Sequence, residues 1–278
     1  MIRDEDLKRA TDYSEGQKEA AYSVLGEISN LLSSFSDNTR IIGGWVPTLL
    51  YPNSEHIGSI DVDVLLNQLQ IGKAEGYKTI KRLLEQQGYK RHPKKFFTYV
   101  KTVHIDGIPY DVDVDFLSGM YGGDGGNVSK HVDGLKALPA TGGNFAFDFP
   151  ATDVKIQYTR EDGAMDFGHI KVISVVPYLV MKAAALGRGK PKDAYDIYHV
   201  INNFSGGVRA LVKEFEPYAN RELVQKMCEK LGEKFASEKH AGPADVAAFL
   251  GIEDREEQER IKQDAYQKVR FLVDKLTV

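Results

Sequence analysis

Cysteine is almost missing from this sequence: Cys228 is the single one in 278 residues. No disulfide can form within the chain, which fits a reducing compartment. Long apolar runs are also missing. The most hydrophobic stretch, Val172 to Leu186, is too short to cross a bilayer and is interrupted by Pro177 and Lys182. The first residues, Met-Ile-Arg-Asp-Glu-Asp-Leu-Lys, lack the apolar core of a secretory leader. Excess positive charge is absent too, since 36 Lys and Arg face 40 Asp and Glu for a net charge of −4. That excludes coating of nucleic acid through bulk basicity and leaves only local basic patches. A soluble, cytoplasmic protein with no membrane partner is expected.

What is present is ordinary in amount, 42% hydrophobic and 27% charged, and unusual in arrangement. From Gly58 to Leu66 the chain reads Gly-Ser-Ile-Asp-Val-Asp-Val-Leu-Leu, so a strand over Ile60 to Leu66 puts Asp61 and Asp63 on one face. Tyr110 to Phe116 alternates Asp111, Asp113 and Asp115 with Val112, Val114 and Phe116, again with the acids on one face. Aspartate is depleted in strands, so two such strands exceed what a plain solvated face accounts for. Paired carboxylates repel each other, and a hard divalent cation between them relieves that. Upstream, Ile41-Ile42-Gly43-Gly44-Trp45 runs a short strand into a glycine pair, where backbone amides can approach a phosphate.

The remaining elements follow from periodicity and turn chemistry. Glu15 to Phe35 has helical spacing, with residues 1–14 polar and frayed. Trp45 to Leu50 and Tyr77 to Gln87 are expected helices. Phe96 to Ile105 and Pro109 to Leu117 form a hairpin about Asp106-Gly107. Gly119, Gly122, Gly123, Gly125 and Gly126 make a loop beside the proposed site. Phe145 to Phe149, Val154 to Tyr158 and His169 to Ile173 are strand candidates. Ser174 is an expected cap for a helix carrying Pro177 in its first turn. After Gly206-Gly207 the chain reads as three or four amphipathic helices, the last from Asp254 to Leu276. The expected class is α+β: residues 1–173 with a mixed sheet and flanking helices, then a helical domain, 174–278, contributing a Lys and an Asp to the site.

A glycine-pair turn, a paired-Asp strand and a later Asp strand together resemble the layout of the nucleotidyltransferase fold. Two Mg²⁺ (or Mn²⁺) ions roughly 4 Å apart can activate an attacking hydroxyl and stabilise the leaving pyrophosphate of a nucleoside triphosphate. Asp61 and Asp63 suit the bridging ligands. Asp115 is the expected third carboxylate, near the strand end, with Asp113 the runner-up. Lys182 lies inside an apolar helical run, followed by Asp193 and Asp196 on the next helix. It either forms a buried ion pair that fixes two helices, or holds triphosphate oxygens while Asp193 orients it.

Ile42-Gly43-Gly44, Ile60-Asp61-Val62-Asp63, Val114-Asp115-Phe116-Leu117 and Met181-Lys182-Ala183-Ala184-Ala185-Leu186, leading to Lys192-Asp193-Ala194-Tyr195-Asp196-Ile197-Tyr198, together resemble the AbiEii-type nucleotidyltransferases. That family includes toxins of abortive-infection systems and the MenT toxins, and the resemblance covers residues from about 40 to 200. It implies Gly43 and Gly44 as the phosphate-side turn, Asp61 and Asp63 as metal ligands, and Lys182 and Asp193 as further functional positions. It also implies nucleotide transfer from an NTP, in MenT cases to the 3′ end of tRNA, and a cognate antitoxin. Relatives carry an arginine and a threonine before the paired acids, where this chain has His56-Ile57-Gly58-Ser59. Ser59 replaces the hydroxyl, and His56 or a distant basic residue must serve for the arginine. Transfer to a protein or small molecule, a catalytically silent nucleotide-binding protein and a metal-dependent nuclease are the alternatives. Lys90, Arg91, Lys94 and Lys95 form one local basic cluster, and Arg188, Lys190 and Lys192 another.

Overall fold

The computed structural model describes residues 7–71, 74–119 and 135–277. The chain divides into two compact units. One comprises Ser14–Leu50 and Gly58–Pro177; the other comprises the N-terminal segment to Tyr13, Tyr51–Ile57, and the chain from Tyr178 onward. The class is α+β.

The first unit is built on one mixed sheet. Its strands are β1 (Thr39–Ile42), β2 (Val62–Leu66), β3 (Lys90–Arg91), β4 (Thr98–Ile105), β5 (Ile108–Gly119), β6 (Leu138–Ala140), β7 (Thr152–Thr159) and β8 (Met165–Val172). The order is β3-β4-β5-β2-β1-β8-β7, with β6 paired to β5. The β4–β5 hairpin turns through Asp106 and Gly107, both at positive φ (51° and 79°). That is the backbone a two-residue hairpin loop requires, so the Asp-Gly signal was read correctly. A non-local pairing matters more: β2 and β5 run parallel, with Asp63 beside Asp115.

Helix α1 (Glu15–Leu31) starts at Ser14, whose hydroxyl accepts from the Gln17 amide, and buries Ala20, Ala21, Val24, Leu25 and Ile28. Gly26 and Gly168 let α1 settle close to the sheet. A β-carbon on Gly26 would strike the Tyr158 ring, and one on Gly168 would strike Ser29 Oγ. Short helices α2 (Val46–Leu50) and α3 (Gln68–Ile71) and the longer α4 (Ala74–Gln86) complete the unit.

Two local expectations are corrected here. Phe145 to Phe149 is not a strand, because residues 145–148 form a 3-10 turn with Phe145 and Ala146 buried. Backbone bonds from Ala146 to the Gly142 carbonyl and from Phe147 to the Asn144 carbonyl close that turn and override the aromatic strand preference. Asp61 lies one residue before β2 rather than within it. Of the expected glycine loop, Gly119 ends β5, while Gly122, Gly123, Gly125 and Gly126 lie outside the described residues.

The second unit is helical. It contains most of α5 (Val175–Ala185), then α6 (Pro191–Asn203), α7 (Gly207–Phe215), α8 (Glu222–Lys234), α9 (Ala241–Leu250) and α10 (Arg255–Leu276). Lys182, Asp193 and Asp196 are all buried in it. Asp254 caps α10 by accepting from the Glu257 amide. Ser174 does not act as the expected cap, since its buried Oγ has no hydrogen-bond partner. Among the described residues no helix is long and apolar enough to cross a membrane.

Residues 7–13 are ordered rather than frayed. Asp12 accepts from the amides of Lys8 and Arg9, and Leu7 and Tyr13 are each only 4% exposed. Tyr13 meets Phe249 of α9 edge-on at 6.0 Å. Tyr13→Ala should therefore destabilise the helical unit by about 2–4 kcal/mol, the range for removing a buried aromatic ring. Urea unfolding followed by circular dichroism measures this, and an unchanged midpoint would show the segment to be dispensable.

Candidate active site: a carboxylate cluster on the sheet

The cluster begins at the turn after β1. Gly43 has φ +73°, and a β-carbon on it would collide with the Asp63 carboxylate. Glycine is thus required twice over, by the backbone angle and by the acid resting against it. Gly44 and Trp45 follow as a buried 3-10 turn. The Trp45 indole N–H donates to the Asp61 carbonyl at 2.8 Å, and the Ser59 hydroxyl donates to Asp61 Oδ1 at 2.5 Å. Position 61 is therefore held by its backbone and its side chain before the strand starts.

On the neighbouring strand the three acids have different surroundings. Asp111, near the hairpin tip, accepts from the Thr102 hydroxyl at 2.6 Å in solvent. Asp113 pairs with Lys95 Nζ at 2.9 Å. Asp115 lies beside Asp63 and accepts from the Thr98 hydroxyl at 2.5 Å. Thr98 is directly opposite Asp115 in the β4–β5 register. Burial pushes the Asp115 carboxyl up to about 6; Thr98 and Lys95 oppose this, while the charges of Asp61 and Asp113 add to it.

Oxygen donors crowded at a site where burial disfavours their charge are a donor set suited to a hard divalent cation. Asp61, Asp63 and Asp115 are the residues that could hold one. Among the described residues, however, no three acid or imidazole side chains already converge as a finished cage. Asp61, Asp113 and Asp115 each have a carboxylate oxygen engaged by a neighbouring donor.

Lys182 and Asp193, the later pair, are brought together inside the helical unit. Lys182 Nζ lies 2.9 Å from Asp193 Oδ1 and 2.7 Å from Asp196 Oδ2. Lys192 binds both Asp196 oxygens, at 3.0 and 3.1 Å, and Arg188 reaches Asp193 at 3.3 Å. Burial disfavours the Lys182 charge, yet Asp193 and Asp196 outweigh it and hold the ammonium well above its ordinary pKa. Asp196 is correspondingly held far below the carboxylate range, because Lys182 and Lys192 outweigh its own burial. Both readings of Lys182 include this pairing, which joins α5 to α6 and lets Asp193 orient the ammonium.

His56 also belongs to this network. Its Nε2 lies 2.9 Å from Asp196 Oδ1, fully buried, and its ring stacks on Tyr195 at 5.3 Å. Burial lowers its pKa despite Asp196. The His56 imidazole is thus engaged by Asp196 and Tyr195 inside the helical unit, which favours the distant basic residue of the two alternatives. His199, bonded to the Ser54 hydroxyl at 2.7 Å, is pushed down to about 4, chiefly by burial and then by His56.

Sequence reading missed Thr98 as a partner of the acids, and Lys192 and His199 as members of the buried network. Compared with known protein families, curated proteins and solved structures, the chain matches none.

The two clusters respond oppositely to pH. Asp115 has a folded pKa above its unfolded value, so its ionisation costs stability as pH rises through about 6. Asp115→Asn should stabilise the metal-free protein by on the order of 2 kcal/mol at pH 8, a gain that vanishes below about pH 4. Equal melting shifts at both pH values would contradict this. His199 has a folded pKa below its unfolded value, so its contribution is complete above about pH 6.5 and is lost as pH falls toward about 4. His199→Gln should flatten that slope in thermal melts.

Proposed function

We propose that the protein is a Mg²⁺-dependent nucleotidyltransferase of the AbiEii and MenT kind, with the nucleotidyltransferase fold in its first unit. The observation that supports this best is the parallel register that sets Asp63 beside Asp115, with Asp61 two residues before and Gly43 beneath the Asp63 carboxylate. Asp61, Asp63 and Asp115 would hold the metal. Once bound, it would supply charge neutralisation for the triphosphate and lower the pKa of an attacking hydroxyl.

The chain's own residues have distinct tasks in this reading. Gly43 and Gly44 present backbone to the phosphates without a side chain in the way. Ser59 fixes the Asp61 carboxylate, and Thr98 fixes that of Asp115. Asp115 is preferred over Asp113 as the third acid because Asp113 is paired with Lys95 and lies farther along the strand from Asp63. Lys182 would hold triphosphate oxygens, with Asp193 and Asp196 orienting its ammonium, and the same contacts anchor the helical unit.

The acceptor we favour is RNA, specifically the 3′ end of tRNA, with the protein acting as the toxin of a toxin–antitoxin pair. In the first unit Lys90 and Arg91 of β3 are exposed at the sheet edge, with exposed Lys94 just beyond. An exposed basic edge suits a phosphate backbone despite the net charge of −4.

Pure protein with Mg²⁺, each α-labelled NTP in turn and total tRNA tests the reading. Label should move onto tRNA with one nucleotide and fall at least about 100-fold in Asp63→Ala. Label on protein would instead identify a protein acceptor. Shortened tRNA would identify a nuclease, and bound NTP without any transfer would identify a silent binder.

A further inference from the structure

The β4–β5 hairpin contains the same cross-strand pair twice. Thr98 faces Asp115 and Thr102 faces Asp111, each in direct register, with hydroxyl–carboxylate distances of 2.5 and 2.6 Å. The surroundings differ completely. Thr102 and Asp111 are in solvent, whereas Thr98 is 0% exposed. Among the described residues Thr98 is the one side chain hydrogen-bonded to Asp115. The Thr98 hydroxyl has a single proton, and its donation to Asp115 Oδ1 engages one of the two carboxylate oxygens and favours one rotation of the group. Thr98 itself is fixed by the loop that precedes β4, because its backbone amide and carbonyl bond to the Lys95 carbonyl and the His92 amide.

We propose that Thr98 is a positioning residue for the carboxylate cluster: its hydroxyl orients Asp115 so that the acid can join Asp61 and Asp63 on a divalent cation. The inference rests on the metal-site reading above. It adds a residue that never touches the metal or the substrate and acts only through Asp115. Outer hydrogen bonds of this kind are worth roughly 10–100-fold in metal affinity.

The twin pair supplies the control. Mn²⁺ affinity is measured by isothermal titration on the full chain for wild type, Thr98→Val, Thr98→Ser and Thr102→Val, with thermal melts alongside. Thr98→Val keeps the side-chain shape and removes the donor, and should weaken Mn²⁺ at least about tenfold. Thr98→Ser keeps the donor and should stay within about threefold of wild type, while Thr102→Val should match wild type. In the transfer assay Thr98→Val should lower kcat at saturating metal, with KM for the NTP little changed.

Wild-type affinity in Thr98→Val would overturn the proposal, as would Thr98→Ser weakening as much as Thr98→Val. An equal loss in Thr102→Val would overturn it too, by showing a general hairpin effect. If Thr98→Val does not fold, Thr98→Ala is the second donor-free variant and must show the same loss. Wild-type protein without saturable Mn²⁺ binding would overturn the metal-site reading and this inference together. Normal wild-type binding with an indifferent Thr98 would overturn only this one.

Discussion

Two carboxylates on neighbouring parallel strands cannot separate without breaking the sheet, and that constraint governs the first unit. Asp63 and Asp115 are in register because β2 pairs with the second half of β5, from Val62 beside Val114 to Leu66 beside Ser118. The opposite face of both strands is buried through Val62, Val64, Val114 and Phe116, each 0% exposed. Slipping the register by one residue would turn this apolar set outward and the acids inward. The hydrophobic effect on one face therefore holds the acids near one another on the other, where the charges of Asp61 and Asp113 bear on Asp115. Burial of the apolar face, not any attraction among the acids, is what holds this arrangement in place.

The helical unit solves its charge problem in the opposite way. Two lysines and two aspartates occupy its interior, with two imidazoles alongside. Each Asp196 oxygen has more than one donor, which is the condition under which buried charges are tolerated. Pairing at this density makes the network a clamp between α5 and α6 and restrains its members. The contrast separates two kinds of perturbed group. Asp196 is pushed down by partners that satisfy it, whereas Asp115 is pushed up by burial and by neighbours of its own sign.

Local chemistry was easily read where the determinants are near in sequence. The Asp106-Gly107 turn fixes the hairpin completely. Once Ile105 faces Ile108, Val100 must face Asp113 and Thr98 must face Asp115. The Thr98–Asp115 pair was thus available from counting alone, and was overlooked because threonine in a strand draws no attention. The 3-10 turn at residues 145–148 was harder, because its aromatic residues favour a strand and its backbone bonds favour a turn. His56 misled for another reason, since nothing in Ser-Glu-His-Ile marks a residue buried against a helix about 140 positions later.

The sequence by itself determined the alternation that lines the acids of β5 along one face, the paired spacing of Asp61 and Asp63, the glycine turn before them, and the helical character of the chain after Ser174. Those are properties of near neighbours, where backbone period and residue type suffice. Only the tertiary structure decided which β5 acid stands beside Asp63, that Lys182 is shared by Asp193 and Asp196, and that His56 faces inward. Each depends on a pairing between distant segments, and such pairings are set by how whole faces bury together rather than by any residue's own preference.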